Sequence, residues 1–250
     1  MKDLITTLFA ISVLAIHFDC STKEQQFVTG KNLTEELHLE VLVNYDVNYL
    51  LYLPEDYERS SKKLPLVLFL HGSGERGSDI ELVKRNGPPK LVEEGKKFGF
   101  ILVSPQCPER TIWDNKMLIS LLDEIESKYN VDKNREYLTG LSMGGHATWS
   151  LAIQYPERFA AILPVCARGY PQDVYVLKEV PVWVFHGQKD DIVPINDGQK
   201  MADALERAGG NVKFTIYPEA NHDAWTETYN NPEVYEWLLS HSLESKRYYK

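Results

Sequence analysis

The chain has 250 residues, long enough to bury a large core in one domain, and it is 43% hydrophobic and 25% charged, too apolar for disorder. Its 27 basic and 36 acidic residues leave a formal net charge of -9, so the summed field repels a phosphate backbone and excludes nucleic acid as a natural partner. The basic end, Lys246-Arg247-Tyr248-Tyr249-Lys250, reads as a short charged tail rather than a binding patch.

From the start of the chain, Lys2 precedes an apolar run over residues 4–16, too short to span a membrane and of the length found in secretory signals. Cys20 follows, then the polar Ser21-Thr22-Lys23-Glu24-Gln25-Gln26. The arrangement resembles a bacterial lipoprotein signal, in which the cysteine is lipidated; it departs from that pattern at Asp19, where the signal has a small residue. This implies export, with membrane attachment through a lipidated Cys20 in the periplasm or at the outer membrane, against the alternatives of a secreted or a cytoplasmic protein. The chain then divides into a leader (1–20), a polar linker (21–34), one catalytic domain (35–241) and a charged tail (242–250). Cys20, Cys107 and Cys166 include no CxxC pair, so neither a zinc nor a redox framework is implied. In an oxidising compartment a Cys107–Cys166 disulfide and two buried thiols both remain open.

Residues 37–43 and 49–53 are apolar stretches with partial alternation around Asn44-Tyr45-Asp46-Val47-Asn48, which predicts an antiparallel pair at a sheet edge. Short continuous apolar runs then recur at 64–70, 99–103, 136–139, 159–165, 180–185 and 212–217. Continuous runs imply strands buried on both faces, hence a mostly parallel sheet covered by helices. Helical spacing is clearest over 114–128, and helices are also expected over 143–154, 195–208 and 233–240. The stretch 74–94 reads as a loop and a helix after Pro88-Pro89. Strand and helix alternate without a linker, which gives an α/β fold in one domain: a three-layer sandwich around about eight strands with an antiparallel N-terminal edge.

Chemistry concentrates in a few segments. Gly140-Leu141-Ser142-Met143-Gly144 fits the GxSxG elbow, in which a strained strand-to-helix turn lifts a nucleophilic serine above the sheet edge. A serine hydroxyl needs a base, and the base needs an acid that fixes its tautomer. His222, in the loop after the 212–217 strand, is the candidate base; His146 and His186 are read as supporting or packing residues. Asp190 and Asp191, past the 180–185 strand, are the candidate acids, and spacing alone favours neither. The Met143 amide and the Ser73 amide, in His71-Gly72-Ser73-Gly74, are the expected donors to an oxyanion. No cofactor or metal is needed for such chemistry.

Three segments carry a resemblance: 68–77 (LFLHGSGERG), 137–145 (YLTGLSMGG) and the HGxxDxxVP pattern at 186–194. With these the chain resembles the bacterial phospholipase/carboxylesterase-like and prolyl-oligopeptidase-family branch of the α/β-hydrolases, and more loosely the feruloyl and polyhydroxybutyrate depolymerase-like esterases. The resemblance covers residues 35–240 and implies Asp190 as the acid. It implies a serine esterase acting through an acyl-enzyme on short-chain or saccharide-linked esters. The same triad leaves a peptidase, a thioesterase or a silent surface-binding fold as alternatives. Ser104-Pro105-Gln106-Cys107 also looks like this branch. Glu75, Arg76, Trp113, Tyr170 and Trp225 are expected to border the cleft: the aromatics as stacking platforms or wall packing, the charged pair as substrate contacts or a loop-pinning salt bridge. Oligomeric state is not legible.

Overall fold

The protein is described by a computed structural model, covering residues 43–59 and 62–244. The leader with Cys20, the linker, and most of the charged tail lie outside the described residues.

Seven strands are present among the described residues: β1 (Tyr49–Tyr52), β2 (Leu64–Leu70), β3 (Ile101–Pro105), β4 (Val131–Leu141), β5 (Ala161–Val165), β6 (Val182–Gly187) and β7 (Val212–Tyr217). They form one sheet in the order β1-β3-β2-β4-β5-β6-β7. Every pairing is parallel except that of β1, which runs antiparallel to β3 with Tyr49 opposite Pro105 and Tyr52 opposite Leu102. The antiparallel edge thus falls at β1, but its described partner is β3. The expected partner at 37–43 lies, apart from Val43, outside the described residues.

The continuous apolar strands are explained by what covers them. Along β2, Leu66, Leu68 and Leu70 join a cluster with residues of α2 (Asn115–Lys128), α3 (Met143–Gln154) and α4 (Ile195–Arg207). Val67 and Phe69 point the other way, into a cluster with residues of α1 (Gly87–Glu93), α5 (Ala224–Asn230) and α6 (Pro232–Leu239). Alternate side chains serve opposite layers, so every position must be apolar. Each fully buried side chain of this kind contributes about 1.5–3 kcal/mol.

Local chemistry sets the helix starts. Asp114 caps α2 by accepting from the Met117 amide at 3.0 Å, and Met117, Leu118, Leu121, Leu122 and Ile125 fall on its buried face. Pro88 and Pro89 stand in the first turn of α1, where amides need no intrahelical partner. The region before α1 folds as two 3-10 turns, Ser73–Glu75 and Ile80–Arg85. The connections leaving β2 and β3 reverse the direction in which the sheet grows, so a crevice opens at the carboxyl ends of β2 and β4. Cys107 and Cys166 are separate buried thiols and form no disulfide.

Candidate active site

The carboxyl ends of β2, β4, β6 and β7 bring together the segments singled out in the sequence. Ser142 connects β4 to α3 with φ 51° and ψ -116°, a conformation that costs a non-glycine residue about 1–3 kcal/mol. Its amide donates to Val165 O at 3.0 Å, and its carbonyl accepts from the His146 amide at 2.9 Å, so the strained turn is held from both sides. Close packing explains the glycines around it. A Cβ on Gly144 would stand 1.9 Å from Leu70 O, and one on Gly140 would stand 2.5 Å from Gly144 C and O.

The side chains then form an unbroken hydrogen-bonded chain. The Ser142 hydroxyl donates to His222 Nε2 at 2.9 Å. His222 Nδ1 donates to Asp190 Oδ2 at 2.8 Å. Asp190 Oδ1 accepts from the amides of Ile192 and Val193 at 3.0 and 2.9 Å. Burial alone would raise the Asp190 carboxyl, but the bonds from His222, Val193 and Ile192 outweigh it and hold the group below its ordinary value. Asp191, the rival acid, is exposed.

His186 lies behind this acid, fully buried. Its Nε2 is 2.8 Å from Val193 O and 3.2 Å from Asp190 Oδ2. A carbonyl oxygen only accepts, so Nε2 carries the proton and leans on the same carboxylate that holds His222. Cys166, His186 and Asp190 are the group among the described residues whose donor atoms converge tightly enough for a metal ion, all within 4.8 Å. Two features oppose that use: the Asp190 oxygens are committed to His222 and two amides, and burial pushes the Cys166 thiol up to about 12.

The loop after β2 lies against Ser142. The point where a Gly72 Cβ would sit is 3.6 Å from Ser142 Cβ and 3.3 Å from Glu75 Oε2. Side chains hold the carbonyls of this loop one by one. Trp113 Nε1 donates to His71 O at 3.2 Å, His71 Nδ1 to Gly72 O at 2.6 Å, Arg76 Nε to Ser73 O at 3.0 Å, and Gln106 Nε2 to Glu75 O at 2.9 Å. The His71 ring is fully specified, because its Nε2 accepts from the Cys107 amide at 3.0 Å. Burial keeps it neutral by lowering its pKa to about 4.

The other expected cleft residues divide. Arg76 and Glu75 do pin the loop, though not through a salt bridge to each other: Arg76 also donates to Thr111 O at 3.0 Å, and Glu75 Oε1 accepts from Asn86 Nδ2 at 2.7 Å. Trp113 is buried with its ring 4.8 Å from that of His71, packs on the loop, and also lines the cavity beside Tyr170. Trp225 meets His222 edge-on at 5.0 Å and donates to Asn86 Oδ1 at 3.2 Å. Tyr170 is exposed beside a cavity of about 560 Å³. Asn86 is a structural member that the sequence did not single out, whereas Gln106 belongs to the 104–107 segment marked by the resemblance. Among the described residues no helix is long and apolar enough to cross a membrane.

Comparison with known proteins adds to this geometry. Residues 41–183 match the family described as "Putative esterase", and residues 165–244 match the prolyl oligopeptidase family. The chain is 27% identical over 136 residues to a bifunctional acetylxylan esterase/xylanase of Neocallimastix patriciarum, covering 52% of this chain and 20% of that protein. It is 25% identical over 175 residues to "Probable feruloyl esterase C" of Aspergillus terreus, covering 65% of this chain and 62% of that one. The chain therefore spans less than two thirds of the length of either relative. Among solved structures, a thermostable esterase aligns with TM-score 0.69 and 33% identity over 78% of this chain and 59% of its own. A feruloyl esterase module of Clostridium thermocellum shares the fold, with TM-score 0.58 and 19% identity over 77% of this chain and 82% of its own.

Proposed function

The chain belongs to the esterase family within the α/β-hydrolase fold, and from that premise we propose that it is a serine carboxylic-ester hydrolase that works through an acyl-enzyme. The observation that carries the reading is the continuous chain from Ser142 Oγ through His222 to Asp190, at 2.9 and 2.8 Å, hung on a strained elbow.

In this reading His222 Nε2 takes the Ser142 proton as Oγ attacks the ester carbonyl, and Asp190 steadies the imidazolium that forms. The amides of Met143 and Ser73 receive the negative charge on the carbonyl oxygen. The N-terminus of α3 adds its partial positive charge. His222 then returns the proton to the departing alcohol, and water repeats the sequence to release the acid. Peptide cleavage is the weaker reading, because an amide demands stronger leaving-group protonation than an ester.

The substrates we infer are short-chain or carbohydrate-linked acyl esters. The acetylxylan and feruloyl esterase relatives support this class. Export, with attachment through a lipidated Cys20, is inferred from the leader sequence alone.

The test compares kcat/KM for para-nitrophenyl acetate between the wild type and folded Ser142→Ala, alongside labelling by a fluorophosphonate. The variant should lose at least about a thousandfold in activity, together with all labelling. Equal hydrolysis by both proteins, with no labelling of the wild type, would sink the proposal.

A further inference from the structure

Beside the triad, the cavity of about 560 Å³ opens along helix α3. Met143 and Ile153 contribute apolar wall, and Ile112 and Tyr170 also line it while standing 76% and 68% exposed. Large apolar side chains left in water beside a cavity mark a place where a ligand completes the burial. A cavity of this volume has room for a ring or an acyl chain.

Polar groups interrupt that wall: Asn115 and Ser150, which bond to each other, and Arg168 and His146. Arg168 lines the cavity and is exposed, and among the described residues no carboxylate forms an ion pair with it. Its amide donates to His146 Nδ1 at 3.2 Å, which places the imidazole proton on Nε2. Burial first, then the nearby Arg168 charge, lower the His146 pKa to about 4, so the ring remains a neutral donor. The nearest acid acting on His146, Asp197, already faces Lys200 at 3.5 Å. The first turn of α3, to which Met143 and His146 belong, adds positive potential. In a chain of net charge -9, this is a local excess of donors and positive charge facing an apolar cavity.

We propose that this cavity is the subsite for one side of the ester, and that it takes an apolar, ring-sized or short-chain group carrying a carboxylate received by Arg168. His146 Nε2 supplies a second, uncharged donor, so the anion is met by a fork of groups rather than by one mobile side chain. The inference deepens the esterase reading of Ser142 and rests on it for the words "side of the ester"; the anion site itself does not depend on turnover.

Kinetics and binding test the two separately. Two matched pairs are assayed on the wild type, Arg168→Gln and Arg168→Glu. Para-nitrophenyl hexanoate against mono-para-nitrophenyl adipate places a carboxylate on the acyl side, and phenyl acetate against para-acetoxybenzoate places it on the alcohol side. In one pair the anionic-to-neutral ratio of kcat/KM should fall about tenfold in Arg168→Gln and further in Arg168→Glu. The pair that responds identifies the side of the ester held in the cavity. Unchanged ratios across all three proteins in both pairs overturn the proposal. If no ester is turned over, the esterase reading fails, and titration with adipate and para-hydroxybenzoate decides the anion site. Binding to the wild type that weakens about tenfold in Arg168→Gln sustains it; equal binding, or none, removes it.

Discussion

At the scale of single residues, the acid is where chemistry and structure separate two neighbours. Asp190 and Asp191 are equivalent in composition and adjacent in sequence, but only the Asp190 side chain receives His222 Nδ1 and two loop amides. Asp190→Asn should lower kcat by about a thousandfold to ten-thousandfold by spoiling the His222 tautomer, while Asp191→Asn should stay within about twofold. Equal losses in both variants would remove Asp190 from its role. A stability signature should accompany the kinetic one. The Asp190 carboxyl is held below its ordinary value, so its bonds contribute stability above that value and lose it as pH falls through the lower folded one. The melting-temperature gap between wild type and Asp190→Asn should therefore narrow as pH is lowered from 7 towards 3. Ser142 and His222 could be singled out in the sequence because each follows a strand-like run, while Asp190 is separated from Asp191 only by the family resemblance. Asn86 could not be singled out, and Gln106 is marked only as part of the 104–107 segment, without its bonding role. They join Trp225, Glu75 and the loop across 139, 11 and 31 residues respectively, and polar loop side chains leave no periodic trace of such partners.

At the scale of elements, the elbow depends on how closely α3 and β4 approach the end of β2. A Cβ at Gly144 would meet Leu70 O at 1.9 Å and His71 O at 2.7 Å, both backbone atoms that cannot step aside alone. Gly144→Ala should cost about 3 kcal/mol or more and lower the melting temperature by roughly 6–12 °C. Activity should fall further than this loss of stability accounts for. A normal melting temperature and normal kcat would show that the approach is looser than described. The same elements show what the sequence could reveal. The runs at 64–70 and 212–217 match β2 and β7, because both begin and end where apolar character does. The 136–139 run grows to Val131–Leu141, since Asp132, Lys133, Asn134 and Arg135 extend the strand: Arg135 pairs with Asp132 within it, and Lys133 reaches Glu126 of α2. α5 was not anticipated: its segment, AWTETYN, is short and half polar, and its buried face consists of Ala224, Thr228 and Tyr229.

For the whole molecule, the sheet has two differently charged ends joined by β4. Ser142 stands past its carboxyl end; nearer the start, Glu136 is buried against Arg158, whose Nε donates to Glu136 Oε2 at 2.8 Å. Arg158 also contacts Glu126 and reaches Asp123 Oδ1 at 2.8 Å, and Lys133 pairs with Glu126 at 2.5 Å. Burial, helped by the neighbouring Glu126 carboxylate, pushes Glu136 from 4.5 up to about 8 despite Arg158. A carboxyl raised on folding stabilises the fold at low pH, and that contribution is lost as pH rises through the folded value. Glu136→Gln removes the titration, so its melting temperature relative to wild type should rise steadily between pH 4 and pH 9. Its kcat/KM should not change, since roughly 20 Å of strand separates it from Ser142. A gap that does not vary with pH would mean that Glu136 is ionised throughout.

The bond from His71 Nδ1 to Gly72 O has a consequence for polarity. In a trans peptide plane the carbonyl and the following amide point in opposite directions, so a carbonyl held by the His71 ring aims the Ser73 N–H away from that ring. Glycine linkages rotate easily, and half a turn of this plane would present an oxygen where a hydrogen belongs. An attractive dipole would become a repulsive one without any side chain changing place. Under the proposed mechanism His71 would act as a latch on that dipole: a buried imidazole away from the substrate would fix the sign of the field that the oxyanion meets.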